Sequence, residues 1–311
     1  MSRAPEAPSS AHVLRATLLV VLSACCFGSI APLTVIATGH GMALESVQAW
    51  RYTTSAVLLV AVGWWRGAPA RRGVAPWFAP HILLVAGCGQ ATIATLALLS
   101  LQWIPTATAS FLFYTFPAWV AVITAIRGIE RLARTRVTAL LLALGGIGFM
   151  VGAPSAASLN PLGVAAVLAA ALAYALYIPI LGSLQRQREA IDVSRAIAVG
   201  GAVLFVGWAV VTGTLFRIPD GVAFGASALQ GVLSAVSFLA FLAGLRVLGP
   251  VRTAITSTVE PFWTTILGLV LLRQSVGTGT LIGGVAIMGA VLLLQRPAGA
   301  HRPAHSSAAD P

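Results

Sequence analysis

The sequence predicts an all-α integral membrane protein with ten transmembrane helices arranged as two inverted five-helix repeats. Three observations predict it. Of 311 residues, 58% are hydrophobic and only 9% charged, with a mean hydropathy of +0.91, whereas a water-soluble surface needs roughly 25% charged residues. Apolar runs of about 20 residues, the length that crosses a bilayer core, recur along the whole chain. Finally, several residues of the first half reappear in order in the second.

The spans follow from those runs. Span one, roughly 16–36, comes after Arg3 and Arg15 and so has a basic start like a signal peptide. Its apolar run is too long for a cleaved segment, and nine similar runs follow. Spans two and three, roughly 47–65 and 80–101, flank Arg66, Arg71 and Arg72. Spans four and five, 106–126 and 137–153, flank Arg127, Arg131, Arg134 and Arg136. Spans six and seven, 162–182 and 196–216, flank Arg186, Arg188 and Arg195. Spans eight and nine, 223–245 and 251–272, flank Arg246 and Arg252, and span ten, 278–295, precedes Arg296 and Arg302. The period-two alternation of a membrane β-barrel is absent, so the spans read as helices.

Orientation follows from the cations. With the N-terminus cytoplasmic, sixteen arginines fall on the cytoplasmic side, only Arg217 and Arg273 fall outside, and Arg51 lies within span two. The positive-inside rule therefore places both termini in the cytoplasm. Residues 1–15 and 296–311 read as cytoplasmic tails. All nineteen cations are arginine; arginine without lysine, with abundant alanine, points to a GC-rich bacterial genome and hence to the bacterial cytoplasmic (inner) membrane. A net charge of +11 would suggest nucleic acid in a soluble domain. Here the arginines lie between apolar runs and form no basic face, so no nucleic-acid partner is expected. Cys25, Cys26 and Cys88 sit inside apolar runs and read as packing residues. Trp64, Trp65, Trp77 and Trp103 fall at span ends, as belt residues do.

The internal repeat carries the most information. Tyr114-Thr-Phe-Pro117-Ala-Trp119 recurs as Thr258-Val-Glu-Pro261-Phe-Trp263, and at the same shift Gly87 meets Gly231, Gly145 meets Gly289, and Glu130 meets Gln274. Phe27-Gly28-Ser-Ile-Ala-Pro32 faces Tyr174-Ala175-Leu-Tyr-Ile-Pro179. The chain divides into a first repeat, 16–153, and a second, 162–295. Five spans are an odd number, so the second repeat enters the bilayer from the opposite side. Inverted repeats of this kind place a solute site near the midplane, between the halves.

The segments YTFPAWVAVITAIRGIERLARTRVTALLLALGGIGFMVG and STVEPFWTTILGLVLLRQSVGTGTLIGGVAIMGAVLLL resemble the two halves of an EamA-family protein of the drug/metabolite transporter (DMT) superfamily. Phe27-Gly28 and Trp50-Arg51 extend the resemblance to essentially the whole chain after residue 15. The resemblance implies a ten-helix secondary active transporter working by alternating access in the cell membrane. It implies efflux of a small metabolite (amino acid-like) or a drug-like solute, with the solute, the lipid bilayer and protons as partners. The first repeat keeps the family's acidic-basic pair as Glu130-Arg131, whereas the second has Arg273-Gln274 where the family usually has Gly-Glu.

Candidate site residues follow from what hydrocarbon penalises. Pro32, Pro117, Pro179 and Pro261 remove helical hydrogen bonds and so free the carbonyls of Gly28, Phe113, Ala175 and Ser257. Freed carbonyls need a partner in the membrane, so the four prolines either wall a cavity or simply kink their helices. Glu260 is the one acidic residue near the middle of a span. A charge there costs at least ~2.5–3.5 kcal/mol and should face the interior. Thr253, Thr256, Ser257 and Thr264 make its face polar. Glu260 reads as a proton-coupling group or a partner for a substrate amine, or else as a structural carboxylate bonded to a kinked backbone or to Arg51. Arg51 either snorkels to the outer interface or pairs with an acid or an anionic solute. Gln90 is a solute amide contact or a helix–helix bond. Phe27, Tyr114, Trp119, Tyr174, Tyr177 and Trp263 lie near the prolines and could line a pocket or simply pack.

Enzyme signatures are absent: the chain has no HExxH, no Walker A and no GxSxG. Asp192, Asp220 and Asp310 fall in loops or tails, and His12, His40, His81, His301 and His305 form no convergent metal set. The expectation is therefore no enzyme, no metal and no cofactor. The alternatives to a transporter are a non-transporting polytopic membrane protein and a membrane-embedded lipid-modifying enzyme.

Overall fold

A computed structural model describes residues 9–67, 76–100, 102–104, 106–130, 133–151, 160–272 and 278–295. Most of both expected tails lies outside the described residues, as do Arg71, Arg72, Arg131, Arg273 and Gln274. The described residues form helices and no strand. Five helical stretches are long and apolar enough to cross a membrane: Ser10–Gly39, Pro80–Ser100, Pro161–Leu184, Ala190–Val211 and Gly221–Thr256. Shorter apolar helices cover Phe116–Ile126, Val259–Leu271 and Leu281–Leu294.

The first repeat begins with α1 (Ser10–Gly28), α2 (Ile30–Gly39) and α3 (Leu44–Trp65). Helix α1 starts six residues before the expected span because the Ser9 hydroxyl caps it, accepting from the His12 N–H. Next come α4 (Pro80–Leu83), a π-helical turn at Leu84–Cys88 and α5 (Gly89–Ser100). Helices α6 (Thr106–Phe113), α7 (Phe116–Ile126) and α8 (Arg134–Val151) complete the half. The second repeat runs through α9 (Pro161–Leu184), α10 (Ala190–Val211), α11 (Gly221–Thr256), α12 (Val259–Leu272) and α13 (Thr278–Gln295).

Spans one, four and nine are each broken near their middles, at Ser29, at Tyr114–Thr115 and at Ser257–Thr258. In each case the proline falls within the first three residues of the following helix: Pro32 in α2, Pro117 in α7 and Pro261 in α12. A missing N–H costs nothing in a first turn, so proline starts these helices rather than interrupting them. Spans eight and nine also meet differently from expectation. The short loop expected after 245 is a tight kink inside α11, with Gly249 at φ 76° and Pro250 behind it. A positive φ suits glycine, so the chain turns there and resumes as the first turns of span nine.

Four of the main helix pairs are α8 with α13, α1 with α11, α3 with α10 and α5 with α9. In span numbers these are five–ten, one–eight, two–seven and three–six, a set that exchanging the halves leaves unchanged. Each pair is antiparallel: Ser23 bonds Ser237 while Thr34 bonds Gln230, and Trp50 bonds the Leu215 carbonyl while Leu59 O meets Arg195. Repeat-matched glycines set the spacing. A Cβ on Gly87 would lie 2.3 Å from Gly200 Cα on α10, and one on Gly231 would lie 2.4 Å from the Thr54 side chain on α3. Small residues at these crossings let backbones approach, the usual device where lipid supplies no hydrophobic driving force.

Candidate functional site

The three helix breaks converge. The α1–α2 break packs on the first turns of α12, so closely that a Cβ on Gly28 would lie 2.8 Å from the Glu260 carbonyl oxygen. The Gly28 carbonyl, freed by Pro32, accepts a hydrogen bond from the Thr264 hydroxyl at 2.9 Å. The Trp263 indole donates to the Ser29 hydroxyl oxygen at 3.0 Å, and Ser29 itself donates to Cys25 O at 2.8 Å. The Ser257 carbonyl, freed by Pro261, accepts from the Glu260 N–H at 3.0 Å.

Glu260 is the second residue of α12. A carboxylate at a helix N-terminus meets unpaired N–H groups and the positive end of the macrodipole. Tyr114, at the break of span four, brings its phenol close to the Glu260 carboxylate. Arg51 and Tyr174 lie within electrostatic range of the same carboxylate. Glu260 sits deep in the protein and is half-buried.

Arg51 does not snorkel. It is buried on α3, where its Nε donates to Ser234 Oγ at 2.8 Å and its Nη1 to Gln48 Oε1 at 3.1 Å. Its guanidinium carbon lies 5.0 Å from the Tyr52 ring centroid. An aromatic wall continues from Tyr114 through Phe113 and Phe116 to Tyr174, with the Phe113 and Tyr174 rings stacked at 5.8 Å and Phe116 4.7 Å from Tyr174. Phe27 packs edge-on to Phe238 at 5.6 Å.

Other candidates fall elsewhere. Trp119 is 42% exposed on the outer side of α7 and leaves the group. Tyr177 is buried with its hydroxyl bonded to Ala86 O in the π-helical turn, and Gly89 makes room for its ring. Ser257 bonds Thr253 O one turn back at 2.9 Å, so it supports the break. Gln90 is half-buried in the first turn of α5, with no hydrogen bond among the described residues. Pro179 lies inside an unbroken α9 and lines a separate cavity of about 370 Å³ with Arg127, Arg186 and Arg246. Glu130 pairs with Arg136 and accepts from the Val251 N–H at 3.3 Å, capping the helical turns that follow Gly249. Burial pushes its carboxyl above the ordinary carboxylate range, with Arg136, the Val251 N–H and Arg252 opposing.

The main omission of the sequence reading is the polar stripe of α11. Ser227, Gln230, Ser234 and Ser237 are all fully buried and face α1, α2, α3 and Met42 between α2 and α3. Their spacing of three, four and three is a helical face, so the signal was present in the sequence.

These features define a multi-pass helical membrane protein built from two like halves around a polar, aromatic-walled centre. The EamA-like transporter family model matches residues 14–152 and again 161–296, so the chain belongs to that family, within the drug/metabolite transporter superfamily. A solved structure titled only "Crystal structure of protein" is similar at 20% identity and a TM-score of 0.75, covering 90% of this chain and 97% of that one. That likeness concerns the fold alone. No curated protein matches the chain.

Proposed function

We propose that this protein is a ten-span secondary active transporter whose inverted halves rock about the Glu260 centre, exposing it alternately to each side of the membrane. The convergence of three broken helices on one residue carries the reading: the Glu260 carboxylate meets the Tyr114 phenol and the Arg51 charge, and the Glu260 carbonyl meets the Gly28 break. Mid-membrane helix ends supply polar groups without long side chains. Half-helices joined by short breaks can also tilt without losing their internal hydrogen bonds.

In this reading Glu260 is the coupling group. Protonated, it loses its pull on Arg51; ionised, it holds Tyr114 and attracts a cationic solute group. The solute is a small metabolite or drug-like molecule with an apolar or aromatic part for the wall of Phe113, Phe116 and Tyr174. Export through the cytoplasmic membrane, with both termini cytoplasmic, is part of the same proposal. No residue is assigned to chemical catalysis.

Glu260→Gln in proteoliposomes tests it. The substitution keeps size and hydrogen bonding but removes the titration. The expected result is loss of pH-driven accumulation with solute binding retained. Transport with an unchanged rate and pH dependence rejects the coupling role.

A further inference from the structure

One polar-headed groove lies away from the Glu260 centre, on the outer face of α3 and α10. Its upper part is wholly apolar, about 390 Å³, and is lined by Ala56, Val57, Val60, Ala61 and Trp64. Its lower part, about 280 Å³, shares Val60 and Trp64 and adds Gly63, Gly67, Trp77 and Arg195. Sharing Val60 and Trp64, the two parts adjoin. The polar end lies at the arginine-rich end of the bundle, where Arg66 caps α3.

Arg195 is held rigidly there. It is buried, with Nε donating to Leu59 O at 3.2 Å, Nη1 paired with Asp192 at 3.3 Å and the guanidinium 5.6 Å from the Trp77 ring. Its Nη2 packs on Gly63 at the groove wall, where a Cβ would lie 1.1 Å away, and is buried with no hydrogen-bond partner among the described residues. A buried guanidinium nitrogen without an acceptor is costly, and a guanidinium N–H makes a strong charge-assisted bond to a phosphate oxygen. One turn of helix separates Gly63 from the start of the apolar part at Val60.

We infer that this groove holds one anionic phospholipid, with its phosphate on Arg195 between Trp64 and Trp77 and an acyl chain along Val60, Ala61, Val57 and Ala56. Three observations select a lipid over a free phosphate. The apolar channel is joined to the cation; Val57 and Trp64 are exposed on the bundle's outer face; and the exposed tryptophans Trp64 and Trp65 mark headgroup depth. The Asp192 carboxylate, 3.3 Å from Nη1, faces the same cation and leaves Nη2 unpaired among the described residues. Bound lipid would bridge the C-terminal end of α3 and the N-terminal end of α10, one helix from each repeat.

The test uses the full chain purified in a neutral detergent, with thermal unfolding followed while lipid is added. Phosphatidylglycerol should raise the melting temperature saturably, whereas phosphatidylcholine and glycerol phosphate should not. Arg195→Gln should weaken the half-saturating phosphatidylglycerol concentration about tenfold, the loss of one charge-assisted bond. Ala61→Trp fills the apolar channel from its exposed side and should abolish the response while leaving the lipid-free melting temperature unchanged. Arg66→Gln, a neighbouring exposed cation outside the groove, should respond as the unaltered protein does. An equal response to phosphatidylcholine, a response to glycerol phosphate alone, or an undiminished response in Ala61→Trp overturns the proposal. Should Arg195→Gln fail to fold, Ala61→Trp decides it.

Discussion

Span one and span six occupy equivalent places in the two repeats, yet one is broken and the other is not. Both carry proline at the matched position, Pro32 and Pro179. The difference lies four residues earlier, where span one has Gly28 and span six has Ala175. Gly28 lets the Glu260 backbone approach, and the Gly28 carbonyl finds an external donor in Thr264. Ala175 is fully buried inside a continuous α9, with Pro179 in its interior. Proline alone therefore does not break these helices. It frees a carbonyl, and in span one the break falls where a neighbouring helix comes close enough to take that carbonyl over.

The largest expected effect tests that claim directly. Gly28→Ala places a methyl group 2.8 Å from a backbone oxygen and 2.9 Å from Thr264 Oγ1, neither of which can move far. Overpacking of this kind costs about 1–3 kcal/mol, and loss of transport should accompany the lower melting temperature. The converse change, Ala175→Gly, should cost only about 1 kcal/mol of helix propensity and leave transport intact. Equal penalties for the two would remove the distinction between the spans.

A smaller effect separates two adjacent hydroxyls on α12. Thr264 bonds Gly28 O across the helix interface, whereas Thr265 bonds only Pro261 O of its own helix, at 2.9 Å in both cases. Thr264→Val leaves a mid-membrane carbonyl without its partner and should cost about 1–3 kcal/mol in detergent unfolding titrations. Thr265→Val should fall within about 0.5 kcal/mol of the unaltered protein.

The smallest effect concerns the far ends of the same two spans. Span six ends on a buried contact, Gln185 Nε2 donating to Leu242 O at 2.8 Å. Span one ends on an exposed one, His40 Nδ1 with Asp220 Oδ2 at 2.6 Å. Asp220 also caps α11, accepting from the Ala223 N–H at 2.8 Å. That bond first, and His40 second, hold the Asp220 carboxyl below its ordinary value of 3.8. A depressed folded pKa gives stabilisation that is present above 3.8 and lost as pH falls through the lowered value. Melting temperatures of the unaltered protein and Asp220→Ala should thus differ slightly at neutral pH and converge in strong acid. A gap that widened on acidification would reverse the assigned sign.

Much of this was legible in the chain. Composition and run length gave the helices and the membrane, and the matched prolines and glycines gave the two repeats, because hydrocarbon leaves few solutions for a backbone. Glu260, Arg51 and Tyr114 stood out because polar groups are costly in an apolar span. The sequence left Trp119 and Tyr177 open between pocket and packing, since an aromatic near a proline does not reveal which side of its helix faces the centre. It also passed over Ser234 and Gln230, whose small or neutral side chains carry little signal until Arg51 and Thr34 are seen against them.

What the sequence determined by itself is therefore the inventory: apolar helices in two like sets, their proline positions and one mid-span carboxyl. What only the tertiary structure decided is where helices break and which groups meet there. The reason is physical. Chain energetics fix where a hydrogen bond is lost, but the partner that replaces it comes from a residue more than two hundred positions away, as Thr264 does for Gly28.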